Sequence, residues 1–292
     1  NIINKNIYID NQNISIYMTL SKELKTVLIT GGTRGVGLEI AKMFKNRDFN
    51  VVITGRDLNY SEKIAKDLNN DYPSRGTVKA YKLDFTDLHK SSTLLNNLKN
   101  QIVKPTYLIN NAGVLMLNNI ENVTEKQMDT MFKVNTYGPI LLSKLCKKNI
   151  WENKKGGILF NSPPYQIDEK TTHLMPYMQT KMAQTTFMKS LSNSIPYENH
   201  DIIISSFWTN YPLLTDAIVK RGIGSKADCM HPYILAHTVE ELLFNTNKRT
   251  LYNGKELIDE YFLKDKEIDI SSYKMGPNVP KLDQLFMKHL LK

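Results

Sequence analysis

Cysteine is scarce in this chain. Cys146 and Cys229 are the only two among 292 residues, too few for a disulfide framework and not spaced as metal ligands. Both read as packing residues of a reducing compartment, and no metal is expected. Long apolar runs are missing too. Nothing approaches the ~18 consecutive apolar residues of a spanning helix, so no membrane span is expected. The N-terminus has neither the apolar core of a secretory signal nor the arginine-rich character of a transit peptide. The C-terminal Leu290-Leu291-Lys292 is not a peroxisomal address. The reading is an intracellular chain, cytoplasmic or organellar. Acid is in deficit, with 29 Asp+Glu against 38 Lys+Arg. Yet the bases are scattered, without the clustering or aromatic interleaving of a nucleic-acid surface, so no nucleic-acid partner is expected. A solvated basic surface accounts for the excess, and a phosphate-rich ligand would suit it.

What is present is the composition of a folded domain. Hydrophobic residues make up 41% and charged residues 23%, which excludes wholesale disorder. No internal repeat or proline-rich linker divides the chain. Residues 1–20 are polar and read as an N-terminal arm, and 21–292 as one domain. Short apolar runs at Val27-Leu28-Ile29, Val51-Val52-Ile53, Tyr107-Leu108-Ile109, Ile158-Leu159-Phe160 and Ile202-Ile203-Ile204 predict buried strands, and Val78 to Leu83 reads as a further strand, third in order. Helical spacing fills the intervals at 36–46, 60–69, 87–100, 124–133, 136–149, 177–193 and 231–245. Such alternation predicts an α/β fold: a doubly wound, mostly parallel sheet of the Rossmann type.

Thr30-Gly31-Gly32-Thr33-Arg34-Gly35-Val36-Gly37 lies between the first strand and the first helix. Glycine is needed there where the backbone turns sharply and meets a pyrophosphate, and the helix N-terminus offers free N–H groups. Enzymes that use NAD place an acid after the second strand, to bind the ribose 2′-hydroxyl. This chain has Arg56 there, and a guanidinium holds a 2′-phosphate that an acid would repel. Arg34 is a second cation at a matching place, so NADP(H) is the expected cofactor.

Tyr177 and Lys181 form a Tyr-x-x-x-Lys pair on one face of a helix. A phenol has a pKa of about 10, and a nearby ammonium lowers it. Tyr177 is thus a candidate acid–base and Lys181 its partner. The other reading of such a pair is two exposed residues on a helix surface.

The spacing Thr-Gly-x-x-x-Gly-x-Gly, followed in order by Asn110-Asn111-Ala112-Gly113 and Tyr-x-x-x-Lys, resembles the short-chain dehydrogenase/reductase family. The resemblance covers roughly residues 25–288. It implies cofactor contacts from Thr30, Gly31, Thr33, Arg34, Gly35, Val36, Gly37, Asn111, Ala112 and Gly113. It also implies Asp84 near the adenine, Lys181 on the nicotinamide ribose and Thr215 on the carboxamide. Asn135 would hold a water that relays protons to Lys181. The family's serine binds the substrate oxygen, but here Pro163 stands at its aligned place and Ser162 is the alternative. Asn210-Tyr211 replace the family's Pro-Gly. Ser162-Pro163-Pro164, the Tyr252–Glu260 strand and the closing Tyr273–Phe286 resemble a hydroxysteroid dehydrogenase-like subgroup, without the sterol-carrier module that some members carry. Residues 212–230 are the expected substrate lid, with Met175, Tyr211, Leu213 and Leu214 as lining candidates. The implied activity is hydride transfer between NADP(H) and a small-molecule carbonyl or alcohol, in a homodimer or homotetramer. The alternative is a catalytically weak NADP(H)-binding scaffold on the same fold.

Overall fold

A computed structural model describes residues 24–165, 174–195, 201–220, 222–247 and 249–284. The N-terminal arm, and the end of the closing segment at Leu285 and Phe286, lie outside the described residues.

Seven strands form one parallel sheet: β1 Thr26–Ile29, β2 Asn50–Gly55, β3 Val78–Lys82, β4 Tyr107–Asn110, β5 Lys155–Asn161, β6 Asp201–Trp208 and β7 Glu256–Ile258. Their spatial order is β3-β2-β1-β4-β5-β6-β7. The inner strands β1, β2, β4, β5 and β6 carry buried apolar runs because both sheet faces are covered by helices, whereas the edge strand β3, Val-Lys-Ala-Tyr-Lys, is only partly buried. One core includes Ile29, Phe44, Ile53, Tyr107, Val239 and Leu242, and the other includes Leu28, Leu94, Leu108, Leu142, Phe160 and Ile204. Alternate residues of β1 and β4 feed opposite cores, as the two-residue period of a strand requires.

The helices are α1 Gly35–Asn46, α2 Leu58–Asp71, α3 Ser92–Lys99, α4 Glu125–Phe132, α5 Gly138–Glu152, α6 Met175–Ser192, α7 Asp216–Val219, α8 Tyr233–Phe244 and α9 Asp259–Lys264. The order reverses between β1 and β4, whose C-terminal ends therefore diverge into a crevice. Open α/β sheets bind ligands at that switch point.

Two expectations need correction. The helix expected over 87–100 begins with a 3-10 turn, Leu88–Ser91, before α3. The helices expected over 124–133 and 136–149 are not separated. A π-helical turn, Lys133–Tyr137, joins α4 to α5, and Gly138 N–H donates to Lys133 O. Proline lacks an N–H and crowds the carbonyl one turn before it. The wider turn relieves that crowding, and it carries Asn135 into the interior, 0% exposed.

Candidate functional site

Thr30 ends β1 and knits it to the loop after β4. Its Oγ1 accepts from Asn111 N–H at 3.0 Å and Ala112 N–H at 2.9 Å. Asn111 Nδ2 donates back to Thr30 O at 3.0 Å. Gly31 and Gly35 both have left-handed φ, +64° and +53°. A Cβ on Gly37 would stand 2.3 Å from Gly31 O and 2.6 Å from Asn111 Nδ2. Glycine there lets α1 start directly against the turn. No side chain caps the N-terminus of α1 and no acid stands in its first turn, so its leading N–H groups face the crevice with a positive dipole end.

Arg56 is exposed at the end of β2 with no ion-pair partner among the described residues. Arg34 is engaged: its Nη1 lies 2.8 Å from Asp216 Oδ2, and Lys220 Nζ is 2.9 Å from the same oxygen. The Lys220 hydrogen bond, with the Arg34 charge added, holds the Asp216 carboxyl below its usual range. Thr215 packs beside the turn, where a Cβ on Gly35 would meet its Cγ2 at 3.2 Å. Asp84 follows β3, but its Oδ1 accepts from Thr86 N–H at 2.9 Å and Thr86 Oγ1 at 2.6 Å, closing a local turn.

Lys181 is buried on α6, one turn beyond Tyr177. Its Nζ donates to Asn161 O at the end of β5 and to Gln184 Oε1 at 3.2 Å. It also stands 5.7 Å from the centre of the Trp208 ring, at the end of β6. A Cβ on the exposed Gly113 would come 3.6 Å from Lys181 Nζ and 3.5 Å from Asn135 Oδ1. Gly113, Asn135 and Lys181 therefore converge on one spot. Asn135 braces it: its Oδ1 accepts from Val114 N–H at 2.8 Å, and its Nδ2 donates to Val114 O and Thr180 Oγ1, each at 2.9 Å. With both ends of its amide so engaged, Asn135 holds the loop that carries Gly113.

The electrostatics differ from the expectation. Burial pushes the Tyr177 phenol up and the Lys181 ammonium down to about 7, because the ammonium's partners are neutral acceptors. The lysine does not hold the phenol low in this arrangement.

Ser162 is not brought to Tyr177. It is fully buried, and its Oγ lies 2.8 Å from Thr185 Oγ1, which accepts from it while donating its one proton to Pro163 O at 2.6 Å. Thr185 sits two turns beyond Tyr177, about 12 Å along the helix by its rise per residue. Four neighbours escaped sequence reading: Asn161, Gln184, Trp208 and Asp216. Gln184 was the findable one, since it shares the helix face of Tyr177 and Lys181 at i+7 and i+3. Of the lining candidates, Tyr211 and Leu213 pack into the core that includes Ile29 and Leu242, Leu213 pairs with Met230 by a β-bridge, Leu214 joins a small apolar cluster with Leu174 and Ile218, and Met175 starts α6.

Comparison with known proteins identifies the family. The family model described as short chain dehydrogenase matches residues 25–217. The chain belongs to the short-chain dehydrogenase family. It is 25% identical over 272 residues to hydroxysteroid dehydrogenase-like protein 2 of Xenopus laevis, covering 90% of this chain and 63% of that protein. The chain thus spans less than two thirds of that relative's length. It is also 25% identical over 195 residues to the NADP-dependent (R)-specific alcohol dehydrogenase of Lentilactobacillus kefiri, covering 66% of this chain and 76% of the other. Among solved structures, a short chain dehydrogenase from Mycobacterium thermoresistibile superposes with a TM-score of 0.75 at 24% identity, over 87% of this chain and 92% of that one. The superposition shows that the two chains share this fold.

Proposed function

We propose that residues 21–292 form an NADP(H)-dependent oxidoreductase that reduces a carbonyl or oxidises an alcohol, working as a homodimer or homotetramer. The observation that carries this reading is the convergence of the exposed Gly113 with Asn135 and Lys181, in the loop that Thr30 ties to the glycine turn. The relative from Lentilactobacillus kefiri, an NADP-dependent alcohol dehydrogenase by name, supports the cofactor.

The residues fit a dinucleotide. Gly31, Gly35 and Gly37 let the turn pack directly against Ala112, Thr215 and Asn111, and the N–H groups at the start of α1 carry no side-chain cap, as a pyrophosphate site requires. Arg56 and Arg34 would hold the 2′-phosphate, Gly113 would lie along the nicotinamide ribose, and Thr215 would reach the carboxamide. The bound cofactor would supply the hydride. Tyr177 stays a neutral phenol through burial, which is the form that donates a proton to the substrate oxygen in reduction. Lys181 then supplies positive charge beside the phenolate that remains. Asn135 keeps the Gly113 loop in place, and its expected role in a water relay to Lys181 belongs to this proposal. Ser162, turned toward Thr185, needs a loop change to meet a substrate oxygen, so Tyr177 alone is the proposed hydrogen-bond donor to it.

The test is a titration of wild type and Tyr177→Phe with NADPH and NADH, then NADPH oxidation against a carbonyl panel. Tighter NADPH binding by both proteins, with turnover by wild type alone, is the expected result. Binding without any turnover would favour the scaffold alternative, and absence of NADPH binding would refute the cofactor assignment.

A further inference from the structure

The two residues that replace the family's Pro-Gly make contacts that explain the replacement. Asn210 O accepts from Leu282 N–H at 2.8 Å, so the closing segment docks on this loop through its backbone. Asn210 Nδ2 donates to Glu260 Oε2 at 3.1 Å, and Tyr211 OH donates to Glu260 Oε1 at 3.1 Å. Lys281, adjacent to Leu282, completes the set. Its Nζ donates to Glu260 Oε2 and to Tyr211 OH at 2.9 Å, and lies 4.1 Å from the centre of the Tyr211 ring.

The Glu260 side chain is 8% exposed and also takes Lys264 at 3.0 Å. Burial alone would raise its carboxyl, but hydrogen bonds from Lys281, Asn210 and Lys264 outweigh that and bring it down to about 2. A carboxylate held this firmly, in a mostly dry place, fixes whatever is tied to it.

The same closing segment is tied to the far end of the lid. His231 N–H donates to Tyr273 O at 2.6 Å and Met275 N–H to Cys229 O at 2.9 Å. Gly276 passes so close that a Cβ there would stand 2.3 Å from Ala227 O. The lid over 212–230 is therefore pinned at both ends by residues 273–282. Between the pins lies a small apolar cluster, in which Leu115, Met178, Leu214 and Leu282 pack around the buried Leu174 and Ile218. Met178 follows Tyr177, and Leu115 lies two residues after Gly113, so the cluster borders the reacting end of the crevice. Leu282 is its contribution from the closing segment.

We infer that the segment Tyr273–Leu282 is the outer wall of the substrate site, with Leu282 a specificity residue for carbonyls carrying an extended apolar flank. Lys281, Glu260 and Tyr211 are the positioning residues that hold Leu282 there. This inference rests on the proposed oxidoreductase reading for its substrate class. None of its residues is among those that crowd Gly31, Gly35 or Gly37, so changing it alters carbonyl preference and leaves NADPH binding alone.

The test compares the wild-type chain with Leu282→Ala, Lys281→Met and Lys281→Arg. Two probes are used, 2-decanone and hydroxyacetone, each titrated with NADP+ present and followed by tryptophan fluorescence, since Trp208 borders Lys181. Turnover with NADPH is measured in parallel. Wild type is expected to prefer 2-decanone. Leu282→Ala and Lys281→Met should weaken it about tenfold, the scale of one or two methylenes lost from an apolar pocket. Hydroxyacetone affinity and NADPH affinity should not move, the loss should appear in KM and not kcat, and Lys281→Arg should restore it. Equal weakening of both probes, no change in either, or no preference in wild type would overturn the wall. Binding preference without turnover would leave the wall standing and instead count against the oxidoreductase reading.

Discussion

Replacing Asn135 by alanine tests how the site is held together. The side chain is fully buried and makes three hydrogen bonds, two to the backbone of Val114 and one to Thr180 Oγ1. Thr180 keeps its bond to Tyr177 O, so its loss is small. The Val114 N–H and C=O lose their partners, and each unsatisfied buried group costs about 1–3 kcal/mol. Val114 is only partly buried, so water recovers some of this, and a net loss of ~3 kcal/mol is expected on that scale. For a chain of this size each kcal/mol moves Tm by about 2–4 °C, so Tm should fall by about 6–12 °C. Calorimetry of the two proteins in matched buffer reads it directly. NADPH affinity should fall as well, because Gly113 rides on the loosened loop. A shift below about 2 °C, on the same scaling, would refute the brace and return Asn135 to a purely water-holding role.

Other outcomes follow from the same geometry. Gly37→Ala should weaken NADPH binding by at least about tenfold, since its Cβ meets backbone that cannot yield; calorimetric titration checks this. The Lys181 ammonium, lowered to about 7 by burial, loses its charge as pH rises through that value. The kcat/KM for carbonyl reduction, which reports the free protein, should therefore decline above about pH 7, and a flat profile to pH 9 would count against a charged Lys181. The same shift has a stability sign. Between about 7 and the unfolded value of 10.5 the unfolded chain binds the extra proton, so Lys181 makes stability rise with pH across that window. Lys181→Met should flatten this part of a denaturation-versus-pH curve. Arg56→Ala should weaken NADPH while leaving NADH unchanged, read as the ratio of two dissociation constants.

Much of this molecule is legible in the sequence because its strands are buried on both faces. Runs such as Val27-Leu28-Ile29 and Ile202-Ile203-Ile204 leave little choice of element, and the glycine turn marks the crevice end of β1. The π-turn was not legible. Gly138-Pro139 announces a break locally, and only packing of Asn135 against the Val114 loop keeps the helix continuous. The direction of Ser162 was equally hidden, since it depends on Thr185, distant in sequence. The expectation that Lys181 lowers the Tyr177 phenol failed for a related reason: spacing gives proximity, while burial, a tertiary property, sets the sign. The role of Asn210-Tyr211 depends on Glu260 and Lys281, far along the chain, and no local pattern announces such a partnership.

The ion pair between Arg34 and Asp216 changes the meaning of cofactor preference. A vacant guanidinium would contribute its whole attraction to a 2′-phosphate. Arg34 instead must exchange one anion for another, and Asp216 keeps Lys220 as a remaining partner when it is left behind. On the proposed reading, its share of the NADPH-over-NADH preference is thus the difference between two similar contacts, both exposed and both weakened by salt. Discrimination at this site falls mainly to Arg56, which has no carboxylate to give up among the described residues, and to whatever freedom the lid gains when Asp216 lets go of the glycine turn.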